Sequence, residues 1–452
     1  MSSASQQPCP GLAMSSAERV PLGEIVDFRN GVNFSQKDEG PGTPILKVKD
    51  FGDRHSVPTV GLDELAPSGA RISKHQLLKP GDIVIIRSNG NRHLVGRSMI
   101  YRGSTRPMTF SGFCIRGRVN GERANAEYVH YWLRSPQTRS RFGQEGTGTG
   151  INNLSQDFLA SLMIPLPSLE EQEAIAATLA PLDNKIDLNR RMNETLDAMA
   201  QAIFRDWLVD FGPVRRKMQG ATDPVTIMGG VAPSRQHAAE LAALFPVGLD
   251  EIGIPSGWAR RPLDEVAEFL NGLALQKYPA LHEEPSLPVI KIAQLRSGIS
   301  DTTERASIRL PTRYVVRDGD FLFSWSGSLM AKVWTGGDGA LNQHLFKVTS
   351  AIYPQWFYAM WVLHHLEGFR QIAASKATTM GHIQRGHLTA AWTICPPLSA
   401  IAAMSSVIEP VWTLAINNEL ENRALAETRD YLLPRLLSGQ VRASNTLEAV
   451  ER

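Results

Sequence analysis

The chain lacks the marks of several kinds of chemistry. No Gly-Lys pair occurs anywhere in its 452 residues, which excludes a phosphate-binding loop ending in Gly-Lys-Ser/Thr. No Gly-x-Ser-x-Gly elbow is present. The three cysteines, Cys9, Cys114 and Cys395, are too few and too scattered for a disulfide framework. They fit a reducing cytoplasm, which is the expected location. His382 and His387 lack a cysteine or acidic pattern around them, and His364-His365 falls in a helical stretch, so no metal site is expected. No apolar run reaches the roughly 18 residues a membrane helix needs. The best candidate, 351–363, is short and contains Pro354 and Gln355. Residues 1–17 are rich in Ser, Ala and Gln, with neither the basic start nor the apolar core of a signal peptide, and read as a disordered leader. No catalytic residue is assigned.

What remains is a globular composition, 42% hydrophobic and 20% charged, in a chain long enough for two or more cores. Net charge is only +2, but its distribution is uneven. Residues 71–120 carry ten Lys or Arg against one acid, Asp82. That balance fits either a phosphate-binding face or a basic surface neutralised by acidic neighbours.

The organising element is the stretch 168–211, which reads as one long helix. Ser168 with Glu171 three residues on makes a capping box. Apolar residues recur at Ile175, Leu179, Leu182 and Ile186, then at Leu196, Ala200, Ile203 and Trp207. That alternation of four and three is the seam of a coiled coil. Pro181 predicts a kink or a short helix before a longer one. Asn189 and Asn193 occupy the seam positions between the two runs, where polar residues can fix register. A second seam runs through Ile401, Met404, Ile408, Val411, Ala415, Leu425 and Leu432, with Asn418 and Asn422 in its gap. Subtracting 229 from 418, 422 and 425 gives Asn189, Asn193 and Leu196, so the helices are copies.

The sequence before each helix is also duplicated. Pro262-Leu263 with Asn271-Gly272 repeats Pro21-Leu22 with Asn30-Gly31. Strand-like runs at 44–48, 81–86 and 113–119 recur at 288–292, 319–323 and 345–348. A helix at 126–134 recurs at 355–365. Residues 146–150 form a glycine-rich loop, and 212–255 are weakly patterned and read as a linker with a short helix near 238–244. The fold class is α+β: two tandem α/β domains joined by two long helices packed as an antiparallel coiled coil, an internal repeat with pseudo-twofold symmetry. A helix of about 40 residues spans roughly 60 Å. A scaffold repeated with different loops suits one task performed on two targets.

Three stretches carry a family resemblance. They are Leu182-Asp183-Asn184-Lys185-Ile186 running on to Phe204-Arg205-Asp206-Trp207, then Ile254-Pro255-Ser256-Gly257-Trp258, and Arg429-Asp430-Tyr431-Leu432-Leu433-Pro434-Arg435-Leu436-Leu437-Ser438-Gly439. Over about residues 18–440 the chain resembles the specificity subunit of Type I restriction-modification systems. The resemblance implies target recognition domains at 18–167 and 256–397, a central spacer helix at 168–211, a linker at 212–255, a distal spacer helix at 398–440 and a tail at 441–452. It also implies a non-catalytic DNA-binding subunit. Each domain would read half of a bipartite site in double-stranded DNA, and the helices would set the spacing and dock two methyltransferase (modification) subunits. No cofactor would bind this chain directly. S-adenosylmethionine, ATP and Mg belong on the modification and restriction subunits. Two departures stand out: the first domain opens Arg19-Val20-Pro21 without the Pro-x-Gly-Trp of the second, and the second helix has Ile401-Ala402 where the first has Glu171-Gln172. Cys395-Pro396-Pro397-Leu398 matches the Asn/Asp-Pro-Pro-aromatic motif of amino-methyltransferases at neither end.

Candidate DNA-contacting residues follow from base-edge chemistry, in which Arg pairs with guanine and Asn or Gln with adenine. In the first domain they are Arg87, Asn89, Asn91 and Arg92, with Thr149, Asn152 and Asn153 after the glycine loop. In the second they are Ser326, Ser328, Asn342, Gln343, His344, Thr378, Thr379, His382 and Gln384. Each group reads equally as turn, cap or strand-edge chemistry. The helix-seam residues are Ile186, Asn189, Asn193, Leu196, Ala415, Asn418, Asn422 and Leu425. The other class of function that fits the duplication is a non-catalytic coiled-coil adaptor with two protein-binding domains.

Overall fold

The computed structural model describes residues 18–443 except 53, 92, 146–151, 283 and 376–380; the side chains of 143–145 and 152 also lie outside the description. The leader, the glycine-rich loop and the end of the tail are therefore outside it. The chain folds as two compact units. One contains the residues up to Leu188 and those from Ala424; the other is Asn189–Arg423.

The first unit is built on a four-stranded antiparallel sheet in the order Val26–Asn30, Cys114–Val119, Ile83–Ile86, Ser98–Ile100. Both faces of Ile83–Ile86 are buried, which is why its sequence is continuously apolar. Ile83 and Ile85 join a core with Tyr128, Tyr131 and Trp132 from the helix Ala126–Arg134. Val84 and Ile86 pack with Met99, Phe110 and Cys114 on the other side. A smaller sheet pairs Glu39–Leu46 with Glu64–Leu65 and, in parallel, with Thr109–Phe110. The edge strand Glu18–Pro21 pairs antiparallel with Met163–Leu166.

The second unit repeats all three arrangements. Its four-stranded sheet runs Glu268–Asn271, Leu345–Thr349, Phe321–Ser324, Ala331–Val333. Ser286–Ile290 pairs in parallel with Gly339–Leu341, and Ala259–Pro262 pairs with Trp392–Cys395. The repeated Asn-Gly marks the same close approach in each. A Cβ on Gly31 would lie 2.2 Å from the Ser111 carbonyl oxygen, and one on Gly272 would lie 2.2 Å from that of Asn342. Only glycine lets the backbones meet there.

The first long helix, Leu169–Phe204, is not broken at Pro181, although the proline has no N–H to give its own turn. Beyond Phe204 it widens into a π-helical turn, Arg205–Val209, and Phe211 in the left-handed region (φ 54°) ends it. The second long helix spans Leu398–Leu437. In the first unit Ile175 and Leu179 share a core with Leu433 and Leu436. In the second unit Asn193 meets Ala415, Asn418 and Glu419. Both pairings run antiparallel. The second helix also corrects an expectation: by length and composition it contains a window apolar enough to cross a membrane, with mean hydropathy 1.4. Its Ile401, Met404 and Ile408 are core residues of the second unit, while Leu398 and Leu414 are exposed.

The stretch expected to be a linker is folded. Helices Gly212–Met218, Pro224–Ile227 and Arg235–Leu244 place Val214, Met228, Leu241 and Phe245 in one core with Trp207 and Trp258. Arg216 binds both carboxylate oxygens of Asp206, at 3.0 and 2.7 Å, and the Ile227 carbonyl at 2.7 Å. Short helices held by a few aromatic anchors and one ion pair leave no long periodicity to read.

Candidate nucleic-acid interface

Two loops predicted separately come together in each unit. In the first, the loop leaving Ile83–Ile86 forms a short antiparallel ladder with the segment after the glycine loop, Asn152 opposite Asn89 and Asn153 opposite Ser88. Leu154 N–H donates to the Arg87 carbonyl at 2.9 Å. Arg87 Nε donates to Asn153 Oδ1 at 2.9 Å, which places two candidate readers side by side on half-buried and exposed surface. The turn closes on itself, with Asn89 Oδ1 accepting from Asn91 N–H at 2.8 Å and Asn91 Oδ1 from His93 N–H at 3.0 Å. Those two Asn side chains therefore serve the turn as well as facing solvent.

The second unit has the same construction with other side chains. Ser326 bridges antiparallel to His382, and Ile383 N–H donates to the Trp325 carbonyl at 2.9 Å. Ser326 Oγ lies 2.9 Å from His344 Nδ1. Trp325 Nε1 donates to Asn271 Oδ1 at 2.9 Å and to the Gln343 carbonyl at 3.1 Å, so its ring is scaffold for the loop. Ser326 and Asn342 are buried; Asn342 Oδ1 accepts from the His344 N–H at 3.2 Å. They hold the site from behind. Gln343, His344 and His382 are half-buried, and Ser328 and Gln384 are exposed. Arg92, Thr149, Thr378 and Thr379 lie outside the described residues.

The basic stretch is partly neutralised. Arg102 pairs with Glu127, Arg106 with Glu64, Arg116 with Asp27 and Arg118 with Asp82. At least these four of its cations thus serve ion pairs, and Arg116 is wholly buried.

The first unit also holds a buried polar cluster that sequence reading missed. Asp183, on the long helix, accepts from Tyr131 Oη at 2.9 Å and Arg429 Nη1 at 2.7 Å, and stands 3.2 Å from His55 Nδ1. Burial works against ionisation, but His55, Arg134 and Arg429 outweigh it and hold the carboxyl well below its ordinary range. Asn184 accepts from Arg102 at 3.0 Å. Among the described residues His55, Glu127 and His130 bring donor atoms within 4.8 Å of one another. Arg134 contacts His55 and Arg102 contacts Glu127, so positive charge already occupies the surroundings a cation would need. The cluster fits an ion-pair network.

Three of the four seam asparagines bond across the seam. Asn189, Asn193, Asn418 and Asn422 are all buried, as is Ile186, while Leu196, Ala415 and Leu425 are half-buried. Asn418 Nδ2 donates to Asn193 Oδ1 at 2.8 Å, and Asn193 Nδ2 to the Ala415 carbonyl at 3.0 Å and Glu419 at 2.9 Å. Asn189 donates to Glu421 at 2.7 Å. Gln172, of the Glu-Gln pair missing from the second helix, is buried and accepts from the Asn125 N–H at 2.9 Å.

One loop construction is thus built in both units with different polar side chains. Residues 14–198 match the family described as Type I restriction modification DNA specificity domain. Along most of its length the chain is similar to Type I restriction enzyme specificity subunits. It is 25% identical over 409 residues to the Type I restriction enzyme HindI specificity subunit of Haemophilus influenzae, covering 80% of this chain and 87% of that one. It is 22% identical over 325 residues to the MjaIX specificity subunit of Methanocaldococcus jannaschii, covering 70% and 69%. Among solved structures, the S subunit of a Type I restriction-modification system from M. genitalium shares the fold with a TM-score of 0.52 at 12% identity, over 93% of this chain and 96% of that one.

Proposed function

We propose that this chain reads a bipartite sequence in double-stranded DNA, one half with the Arg87–Asn153 loops and the other with the Ser326–His344–His382 loops. The observation that carries this reading is one loop construction built twice with different polar side chains. An adaptor with two equivalent protein sites gives no reason for that divergence. Sequence is read by base-edge contacts in the grooves, and surface cations supply phosphate affinity. The two long helices fix the gap between half-sites and dock modification subunits, which methylate adenine with S-adenosylmethionine. Restriction subunits using ATP and Mg join through that complex. This chain contributes recognition and no chemistry, and it works in the cytoplasm.

The test is DNA binding by the complex with its modification subunits across a salt series. Contacts to several phosphates predict a steep, linear fall of log affinity with log salt, with slope about −0.9 per phosphate neutralised. Binding to DNA that ignores salt, or none at all from an intact complex, contradicts the reading and favours the adaptor.

A further inference from the structure

We propose that Arg139 and Arg370 are the positioning residues of the two recognition loops. Each would hold its loop from the helix behind it without touching DNA. The inference rests on the bipartite reading above and assigns a role within it.

The two arginines stand 231 residues apart, close to the 229 that relates the long helices. Each lies on helix that follows the central sheet, Pro136–Glu145 in the first unit and Gln355–Ser375 in the second. Arg139 donates from Nη1 to the Val95 carbonyl at 3.0 Å and from Nη2 to the His93 carbonyl at 3.1 Å. Arg370 donates from Nε to the Leu329 carbonyl at 3.1 Å. All three acceptors lie on the returning limb of the loop that carries the candidate readers. The outgoing limb is tied separately, through Leu154 to Arg87 in one unit and Ile383 to Trp325 in the other.

A loop held at both limbs and closed on itself moves as one body. In the first unit the Asn89 and Asn91 turns supply that closure. Gly96 (φ 75°) lies flat against the same helix; a Cβ there would fall 2.3 Å from the Phe142 ring and 2.9 Å from Arg139 Nη1. Burial, with Arg97 and Arg134 nearby, lowers Arg139 to about 10, so it remains a cation at neutral pH while its donors face carbonyls. Arg370 is more exposed and shares its guanidinium with Glu367 at 3.3 Å. Its grip is one bond where Arg139 has two, so the second loop depends on it less.

The experiment expresses the full chain with its modification subunits and maps methylated adenines genome-wide for wild type, Arg139→Ala, Arg139→Lys, Arg370→Ala and the exposed control Arg141→Ala. Positioning predicts that Arg139→Ala lowers discrimination against wrong bases about tenfold in one half of the motif and leaves the other half sharp. Arg370→Ala blurs the opposite half, more weakly. Arg139→Lys falls short of wild type in the same half, because one ammonium replaces a planar fork whose two nitrogens meet the His93 and Val95 carbonyls separately. A phosphate role predicts instead that Lys restores wild-type behaviour and that Ala weakens binding without altering the motif, which overturns the proposal. A motif as sharp as wild type in both alanine variants overturns it too, as does equal blurring of both halves by one variant. If wild type yields no bipartite motif, the bipartite reading fails first. A sharp wild-type motif with unaffected variants sinks the positioning role alone.

Discussion

Asn418 donates from Nδ2 to Asn193 Oδ1 at 2.8 Å, an amide pair across a helix seam whose two residues are 225 apart in sequence. The pair is buried and extended by Glu419 and the Ala415 carbonyl. Replacing Asn418 alone with Leu leaves Asn193 Oδ1 buried without that donor and should cost about 1–3 kcal/mol. The double change to Leu should recover part of that loss, giving a coupling of about 0.5–3 kcal/mol in denaturant titrations. Strict additivity would show that the pair is not a unit.

Asp183 predicts a larger effect. Asp183→Asn removes the carboxylate that Arg134 and Arg429 face, leaving Arg134 without it and Arg429 with Asp430 alone. A loss of about 2–4 kcal/mol is expected, below that of a fully buried pair because Asp430 still faces Arg429. Thermal melting of the complex measures it, and a loss under about 1 kcal/mol would mean the cations find other partners.

Acid should weaken the first unit through His130. Burial, with His55 and Arg134 adding to it, holds its imidazole well below the ordinary range, so it is neutral in the folded state. The unfolded chain binds that proton below about pH 6.5, so stability is full above that pH and falls as pH drops from there toward the folded value. One proton gives a slope of at most about 1.4 kcal/mol per pH unit. His130→Leu should flatten the fall between pH 6.5 and 5 by up to that much; His364 and His365, lowered chiefly by burial in the second unit, contribute the same sign in the variant and the wild type.

Glycines of two kinds should respond in opposite directions. Gly31→Ala and Gly272→Ala push a methyl into a carbonyl and should destabilise by about 1–3 kcal/mol or more. Gly368, in the helix Gln355–Ser375, has open space around its missing Cβ. Gly368→Ala should stabilise by about 0.5–1 kcal/mol, read as a rise in melting temperature.

Features with a period were legible before the structure. The duplicated strands, the long helices and their asparagine seams follow from spacing, and the repeated Asn-Gly follows from a backbone approach that only glycine allows. The loops of each site were also named, because Arg, Asn and His after a strand are chemically conspicuous. Other parts were hidden. The folded 212–255 stretch depends on Trp207, Phe245 and Trp258 meeting from far apart in sequence, with rings 5.6–6.0 Å apart. The Asp183 cluster gathers His55, Tyr131 and Arg429 from distant segments, and no local pattern announces it. Ser326 and Asn342 carry the right chemistry for DNA contact, but burial turns them into supports. Arg139 and Arg370 lacked any signal except their 231-residue offset.

The central claim is that two loop clusters read two half-sites independently. Co-expression with the modification subunit and genome-wide mapping of methylated adenines tests it most directly, using the wild-type chain and a chimera with residues 256–397 from a relative. The account predicts a bipartite motif with a fixed gap, of which the chimera changes one half and leaves the other half and the gap intact. A chimera that alters both halves, or a stable complex that methylates no bipartite site, would contradict it.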